Sequence, residues 1–184
     1  MIEKGKISQE PFIEILKTLE EAESANLVDW NAMNIASVDQ MNQPSSRMVL
    51  LKKISDDGLV FYTNYNSRKG KEIELNPKVA VNFWWRELKK QIRVEGFIEK
   101  ASEEDSDDYF YSRPLKSRVS AIISNQSSKI SSYEDLTNQI DNYLEQNDES
   151  SIKRPDHCGL YVVIPNAVEL LSLIHISEPT RPYL

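Results

Sequence analysis

The sequence predicts an α+β fold, an antiparallel sheet of five to seven strands curling toward a barrel, with helices inserted between strands. Three observations carry this. Short runs of strand character recur along the chain, near residues 34–38, 47–52, 59–63, 79–85, 91–100 and 160–164. Turn signals separate successive runs, notably Asp56-Asp57-Gly58 and the polar stretch Arg86 to Lys90. Helical spacing and serine capping signals are confined to other segments.

In chain order, Phe12, Ile15, Leu16, Leu19 and Ala22 repeat at helical spacing and Pro11 suits a first turn, so a helix is expected from about Glu10 to Ala25. Asn34 to Val38 reads as a strand and Asp39 to Pro44 as a polar turn. From Arg47 to Lys52 the sides alternate, with Arg47, Val49 and Leu51 on one and Met48, Leu50 and Lys52 on the other. The Asp56-Asp57-Gly58 turn leads into Leu59–Thr63, making these two strands a hairpin. Ser67 is placed to cap a short helix that stops before Asn76-Pro77. Val79 to Trp85 and Gln91 to Lys100 are strands. Ser102 with Asp105 resembles a capping box, for a helix ending near Arg113-Pro114. Leu115 to Ser124 reads as a second helix, and Ser132 with Asp135 opens a third that runs to about Asn147. A polar linker, Asp148 to Pro155, precedes a late strand, Leu160 to Ile164, and no internal repeat is visible.

Composition excludes several functions. The 184 residues carry 22 Lys and Arg against 29 Asp and Glu, a net charge of −7, which argues against a nucleic-acid binder. Apolar residues at 40% are enough for a real core, yet runs such as Val162-Val163-Ile164 are too short to span a bilayer. The single cysteine, Cys158, rules out an intrachain disulfide and fits a reducing compartment. With no secretory signal visible, a soluble cytoplasmic protein is expected. The 5 glycines are not spaced as a dinucleotide fingerprint or a P-loop. His157, His175 and Cys158 cannot build a zinc site by themselves, so no metal is expected. No Gly-x-Ser-x-Gly elbow is present.

Four constellations bear chemistry. Between Arg47 and Lys71 lie Arg47, Lys52, Lys53, Arg68, Lys69 and Lys71 against Asp56 and Asp57, six minus two, a local +4. Arg68-Lys69 falls at an expected helix N-terminus, where backbone N–H groups and the helix dipole favour an anion; the alternative is a solvated helix start. Phe61-Tyr62-Thr63, Phe83-Trp84-Trp85 and Gln91 suit the walls of a flat heterocycle, although Phe61 and Phe83 read more simply as core. Tyr109, Arg113 and Ser117 recur every four residues, and Pro114 makes them straddle a helix end. They suit a second phosphate, or Arg113 is merely a helix-end cation. Ser124-Asn125-Gln126-Ser127-Ser128 is a polar loop, either a binding loop or a linker.

In this order, Arg47-Met48-Val49-Leu50-Leu51-Lys52, Phe61-Tyr62-Thr63-Asn64, Ser67-Arg68-Lys69-Gly70-Lys71, Gln91-Ile92-Arg93-Val94-Glu95-Gly96, Tyr109-Phe110-Tyr111-Ser112-Arg113-Pro114 and Gln126-Ser127-Ser128 closely resemble the pyridoxamine 5′-phosphate oxidase family, from about Phe12 to Glu169. The resemblance implies an FMN-binding split β-barrel with peripheral helices over residues 1–169, forming a homodimer with FMN at the subunit interface. It implies that Arg47, Met48, Val49, Leu50, Leu51 and Lys52 lie along the flavin and its phosphate. Tyr62, Thr63, Arg68, Lys69, Gln91, Gln126 and Ser127 would be further FMN contacts, with Arg68 and Lys69 on the phosphate. Lys52, Tyr109, Arg113 and Ser117 resemble the family's ligands for the substrate phosphate.

The implied reaction is oxidation of pyridoxamine or pyridoxine 5′-phosphate to pyridoxal 5′-phosphate, with O2 as acceptor and H2O2 as product. Positioning would dominate, and no residue is assigned as acid, base or nucleophile. The alternative is a split-barrel flavin reductase or flavin-binding module, which has no need of a second phosphate site. The chain departs from the family at its end. Cys158 sits about where a tryptophan is usual, and Leu170-Leu171-Ser172-Leu173 replaces a Phe-Trp-Gln-Gly segment. Residues 170–184 read as a non-family tail resembling a translated sequencing-adapter read, so His175 and Arg181 are not equated with the family's Arg-Leu-His. Weak FMN binding and poor turnover are expected of this sequence. His157 and Cys158 read as structural.

Overall fold

The structure, a computed structural model, describes residues 2–124, 126–129 and 132–172. Asn125 of the polar loop, and His175 and Arg181 of the tail, lie outside the described residues. The chain divides into two compact units. One takes the residues up to Tyr62, Glu72–Glu99 and those from Tyr161; the other takes Thr63–Lys71 and Lys100–Leu160.

Seven strands form one sheet: β1 (Glu3–Lys4), β2 (Ala32–Val38), β3 (Pro44–Ser55), β4 (Gly58–Asn64), β5 (Lys78–Trp85), β6 (Lys90–Lys100) and β7 (Cys158–Ser172). Their order is β1-β3-β2-β5-β6-β7-β4, and a further β3–β4 pairing closes β2 to β7 into a six-stranded antiparallel barrel. β1 adds outside the ring, parallel to β3. The expected antiparallel split barrel with peripheral helices is thus the fold observed.

The alternation read from the sequence produces the barrel's interior. Met33 and Ile35 of β2, Val49, Leu51 and Ile54 of β3, Leu59 and Phe61 of β4, Val81, Phe83 and Trp85 of β5, and Ile92 and Val94 of β6 are all buried. Burying each such side chain contributes roughly 1.5–3 kcal/mol. Phe83 and Trp85 stack with ring centroids 5.3 Å apart, and Trp85 Nε1 donates to the Trp30 carbonyl at 2.7 Å. The helix α1 (Glu10–Ser24) packs on β3 and buries Phe12, Ile15, Leu19 and Ala22. The β3–β4 hairpin turns at Gly58, whose φ of 140° and closeness to the Val163 carbonyl leave no room for a Cβ.

The hairpin ladder is irregular at one place. Leu51 pairs with Phe61 and Lys53 with Val60, so Lys52 is an extra residue on β3, a β-bulge. Two expectations are corrected. β1 was not anticipated, since two exposed residues carry no alternation to read. The late strand expected over Leu160–Ile164 runs over Cys158–Ser172, three residues into the presumed tail, because Pro165 does not end it. There the chain passes close over Gly96, which has no Cβ to meet the Ile164 carbonyl or Pro165.

The second unit is mainly helical. It holds α3 (Glu103–Ser112), α4 (Leu115–Ile123) and α5 (Tyr133–Gln146), around Phe110, Val119, Ile140 and Ile152. Both serine N-caps form, since Ser102 Oγ accepts from the Asp105 N–H and Ser132 Oγ from the Asp135 N–H, each at 3.0 Å. The remaining helix, α2 (Arg68–Leu75), follows buried Ser67 as expected. Among the described residues, no helix is long and apolar enough to cross a membrane.

Candidate functional site

In the second unit, the start of α2 gathers residues that lie far apart in sequence. Ser67 Oγ donates to the Asn64 carbonyl at 2.6 Å and accepts from the Gly70 N–H at 3.3 Å, capping the helix from a buried position. Gly70 is required there because a Cβ would collide with the Tyr65 carbonyl oxygen. Buried Lys69 donates from Nζ to Gln126 Oε1 at 2.9 Å and to Ser67 Oγ at 3.3 Å. Thr63 Oγ1 donates to the same Gln126 oxygen at 3.2 Å, and the Arg68 N–H donates to Ser127 Oγ at 3.3 Å. Thr63, Arg68, Lys69, Gln126 and Ser127 are therefore one cluster. Its helix N-terminus and its two cations are chemically suited to a phosphate.

Tyr109 lies on α3, Arg113 caps the C-terminus of that helix, and Ser117 stands in the first turn of α4, so they straddle the helix break as expected. All three are half-buried. On the same helix as Tyr109, Asp107 accepts from Arg154 at 2.6 Å and Glu103 pairs with it, while Arg154 also donates to the Cys158 carbonyl at 2.6 Å. Burial pulls against its charge, but the bonds to Asp107 and Glu103 hold this guanidinium above its ordinary value. Burial likewise raises the Tyr65 phenol, opposed by a hydrogen bond with Ser106. Cys158 is buried, and the His157 carbonyl accepts from the Tyr65 N–H at 2.6 Å.

In the barrel unit, the Arg47–Lys52 motif divides between two faces. Val49 and Leu51 are core residues, so any contact they make with a ligand is through the main chain. Met48 and Leu50 point outward and are 60% and 40% exposed. On the same outer face, Asn34 stands opposite Met48, Asn82 opposite Asn34, and Trp84 opposite Gln91. Gln91 Nε2 donates to Asn82 Oδ1 at 2.6 Å. Met48, Leu50, Trp84 and Gln91 thus share one sheet surface with apolar breadth and an amide. Lys52 is half-buried in the bulge, Tyr62 half-buried on β4, and Phe61 and Phe83 lie in the core.

Arg47 faces inward and meets a group that sequence reasoning missed. Its Nη2 pairs with Glu72 Oε2 at 3.0 Å and donates to Ser45 Oγ at 2.5 Å, while Nη1 donates to Ser37 Oγ at 2.6 Å. Both serine hydroxyls donate onward to Glu72 Oε2, at 2.5 Å from Ser37 and 2.7 Å from Ser45. Lys53 Nζ is also paired, with Glu3 Oε1 at 2.9 Å. The +4 segment therefore draws two carboxylates from outside itself. Among the described residues, no group of three or more His, Cys, Asp or Glu is arranged to hold a metal.

Comparison with known proteins bears on the family and the fold. The family model described as pyridoxamine 5′-phosphate oxidase matches residues 19–145. The pyridoxine/pyridoxamine 5′-phosphate oxidase of Nostoc sp. is 47% identical over 164 residues, covering 89% of this chain and 77% of that protein. A protein named pyridoxine/pyridoxamine 5′-phosphate oxidase 2, from Hydrogenovibrio crunogenus, is 40% identical over 168 residues, covering 91% and 79%. Among solved structures, PhzG from Burkholderia lata, in complex with tetrahydrophenazine-1-carboxylic acid, superposes with a TM-score of 0.84 at 22% identity, covering 96% of this chain and 93% of that one. A pyridoxamine 5′-phosphate oxidase-related, FMN-binding protein from Nostoc punctiforme gives 0.74 at 20% identity, covering 96% and 91%. The two structures match the fold; with the family model matching over residues 19–145 and relatives 40–47% identical, the chain belongs to the pyridoxamine 5′-phosphate oxidase family.

Proposed function

We propose that this chain is an FMN-dependent oxidase that converts pyridoxamine or pyridoxine 5′-phosphate to pyridoxal 5′-phosphate, with O2 as electron acceptor and H2O2 as product. The observation that carries this reading is 47% identity across 89% of the chain to a protein of that name. The residues present fit the cofactor. The Lys69–Gln126–Thr63 cluster at a helix N-terminus suits a phosphate, and the outer face bearing Met48, Leu50, Trp84 and Gln91 suits a flat ring system. The flavin supplies the two-electron chemistry when bound.

The chain's own groups bind and orient. Arg68 and Lys69 hold the flavin phosphate, assisted by Thr63, Gln126 and Ser127, and Arg47 adds a guanidinium. Met48 and Leu50 support the ring, Val49 and Leu51 offer main-chain groups, Tyr62 lines the site, and Gln91 presents its amide to the ring's polar edge. Lys52, Tyr109, Arg113 and Ser117 anchor the substrate phosphate, and Lys52 also touches the cofactor. Two phosphate anchors fix the reacting carbon relative to the flavin, so positioning supplies most of the rate.

The same outer face supports a homodimer. Met48, Leu50, Trp84 and Phe97 are large apolar side chains exposed on one sheet surface, which a two-fold partner would cover. The single cysteine suits a cytoplasmic setting. The test is the visible spectrum after reconstitution with FMN. Pyridoxamine 5′-phosphate added without oxygen should bleach the flavin band, and air should restore it with one peroxide per turnover. A protein that takes up no FMN overturns the reading. One that takes up FMN but is not bleached is a flavin-binding module or a reductase for other substrates.

A further inference from the structure

We propose that Glu72, with Ser37 and Ser45, is the positioning group that fixes Arg47 for the flavin phosphate and so sets the discrimination between FMN and riboflavin. The inference rests on the flavin reading above. Its basis is a closed hydrogen-bond circuit: each serine hydroxyl accepts from the Arg47 guanidinium and donates to Glu72 Oε2, which also pairs directly with Nη2. The strand register builds the circuit. Ser37 stands opposite Ser45 and Ile35 opposite Arg47 in the β2–β3 ladder, and α2 supplies the carboxylate.

The orientation of this ion pair shows what it serves. The Glu72 side chain is 5% exposed and that of Arg47 is 22% exposed, so the carboxylate is the inner member and the guanidinium the outer. Glu72 Oε2 already accepts three donors, whereas Arg47 Nε bonds to no group among the described residues. A free arginine loses much rotamer freedom when it grips an anion; this one has lost that freedom before any ligand arrives. The arrangement presents a rigid guanidinium to an incoming anion and keeps its counter-charge behind it. Riboflavin, which lacks the phosphate, would gain nothing from it.

The experiment uses the full chain, freed of flavin, with dissociation constants for FMN and riboflavin read from flavin fluorescence and the melting temperature of each apoprotein. Glu72→Gln removes the charge at nearly constant shape, and Glu72→Asp keeps the charge but shortens its reach. Each should weaken FMN about tenfold, the equivalent of one charge-assisted hydrogen bond, and leave riboflavin within about twofold. Ser45→Ala should act in the same sense by roughly threefold, and it carries the test with Glu72→Asp if Glu72→Gln does not fold. Equal losses for both flavins would make Glu72 merely structural, and unchanged FMN affinity, or tighter FMN in Glu72→Gln, would also overturn the proposal. A wild-type chain that binds neither flavin overturns the flavin reading itself, a separately recognisable failure.

Discussion

In the barrel unit the carboxylate of the buried ion pair lies inside and the arginine outside: Glu72 is 5% exposed and Arg47 22%. In the second unit the order reverses, with the Arg154 side chain 6% exposed while its partners Glu103 and Asp107 are 83% and 48% exposed. Arg118 follows the second pattern, buried beneath exposed Glu149. The contrast shows that a count of ion pairs conveys little. The member facing water determines the sign of the charge on offer, and the member facing inward determines what a substitution strands without solvent. Arg154 is a clasp whose outer face is acidic. Arg47 offers a cation.

Removing each arginine should break the symmetry between the two sites. Arg47→Leu takes the guanidinium away from the buried Glu72 carboxylate, and should cost about 3–5 kcal/mol in urea unfolding. Adding Glu72→Leu should recover part of that loss, since no charge is then stranded. Arg154→Leu lets Glu103 and Asp107 return to water and should cost only about 1–2 kcal/mol. Equal costs for the two single substitutions would undo the comparison.

Salt sharpens it further. In 1 M NaCl the penalty of Arg154→Leu should shrink by roughly 0.5 kcal/mol, because half-exposed carboxylates are screened, while that of Arg47→Leu should hold. The smallest effect concerns a carboxylate with no arginine at all. The Ser8 hydroxyl, with the Ser8 and Gln9 N–H groups, holds the exposed Asp56 carboxyl below its ordinary value. A depressed value stabilises the fold above the unfolded aspartate's pKa of about 3.9, and the contribution is lost as pH falls through the lower folded value. Asp56→Asn should therefore lower the melting temperature slightly above about pH 4, where the carboxylate's contribution is present, and make little difference well below it, so that the acid limb flattens. An unchanged acid limb would show that the Ser8 bonds do not act on stability.

Local signals made much of this legible in sequence. The 3.6-residue spacing of Phe12, Ile15, Leu19 and Ala22, the Ser102 and Ser132 caps, and the Gly58 turn act over a few residues, and each lies where it was read. The alternation from Arg47 to Leu51 likewise separated core from surface correctly. What escaped is non-local. Glu72 reads as one more charge on a short polar helix, and its bonds with Ser37, Ser45 and Arg47, 25 to 35 residues earlier in the chain, are what no local pattern announces. The late strand is read only to Ile164, and its continuation to Ser172, passing close to distant Gly96, carries no local signal.

The bulge in β3 can be restated as a matter of parity. Arg47, Val49 and Leu51 face inward at steps of two, and the next core residue, Ile54, follows at a step of three. Deleting a residue between Val49 and Leu51, for instance, would turn one stretch of the strand inside out and drive its core residues into solvent. Deleting Lys52 would leave an unbroken alternation, with Val49, Leu51 and Ile54 all still facing the core. The barrel has no architectural need of this residue. A regular strand would have no slot for it, so the chain carries its amine as a one-residue surplus in the barrel wall, at the cost of a broken ladder.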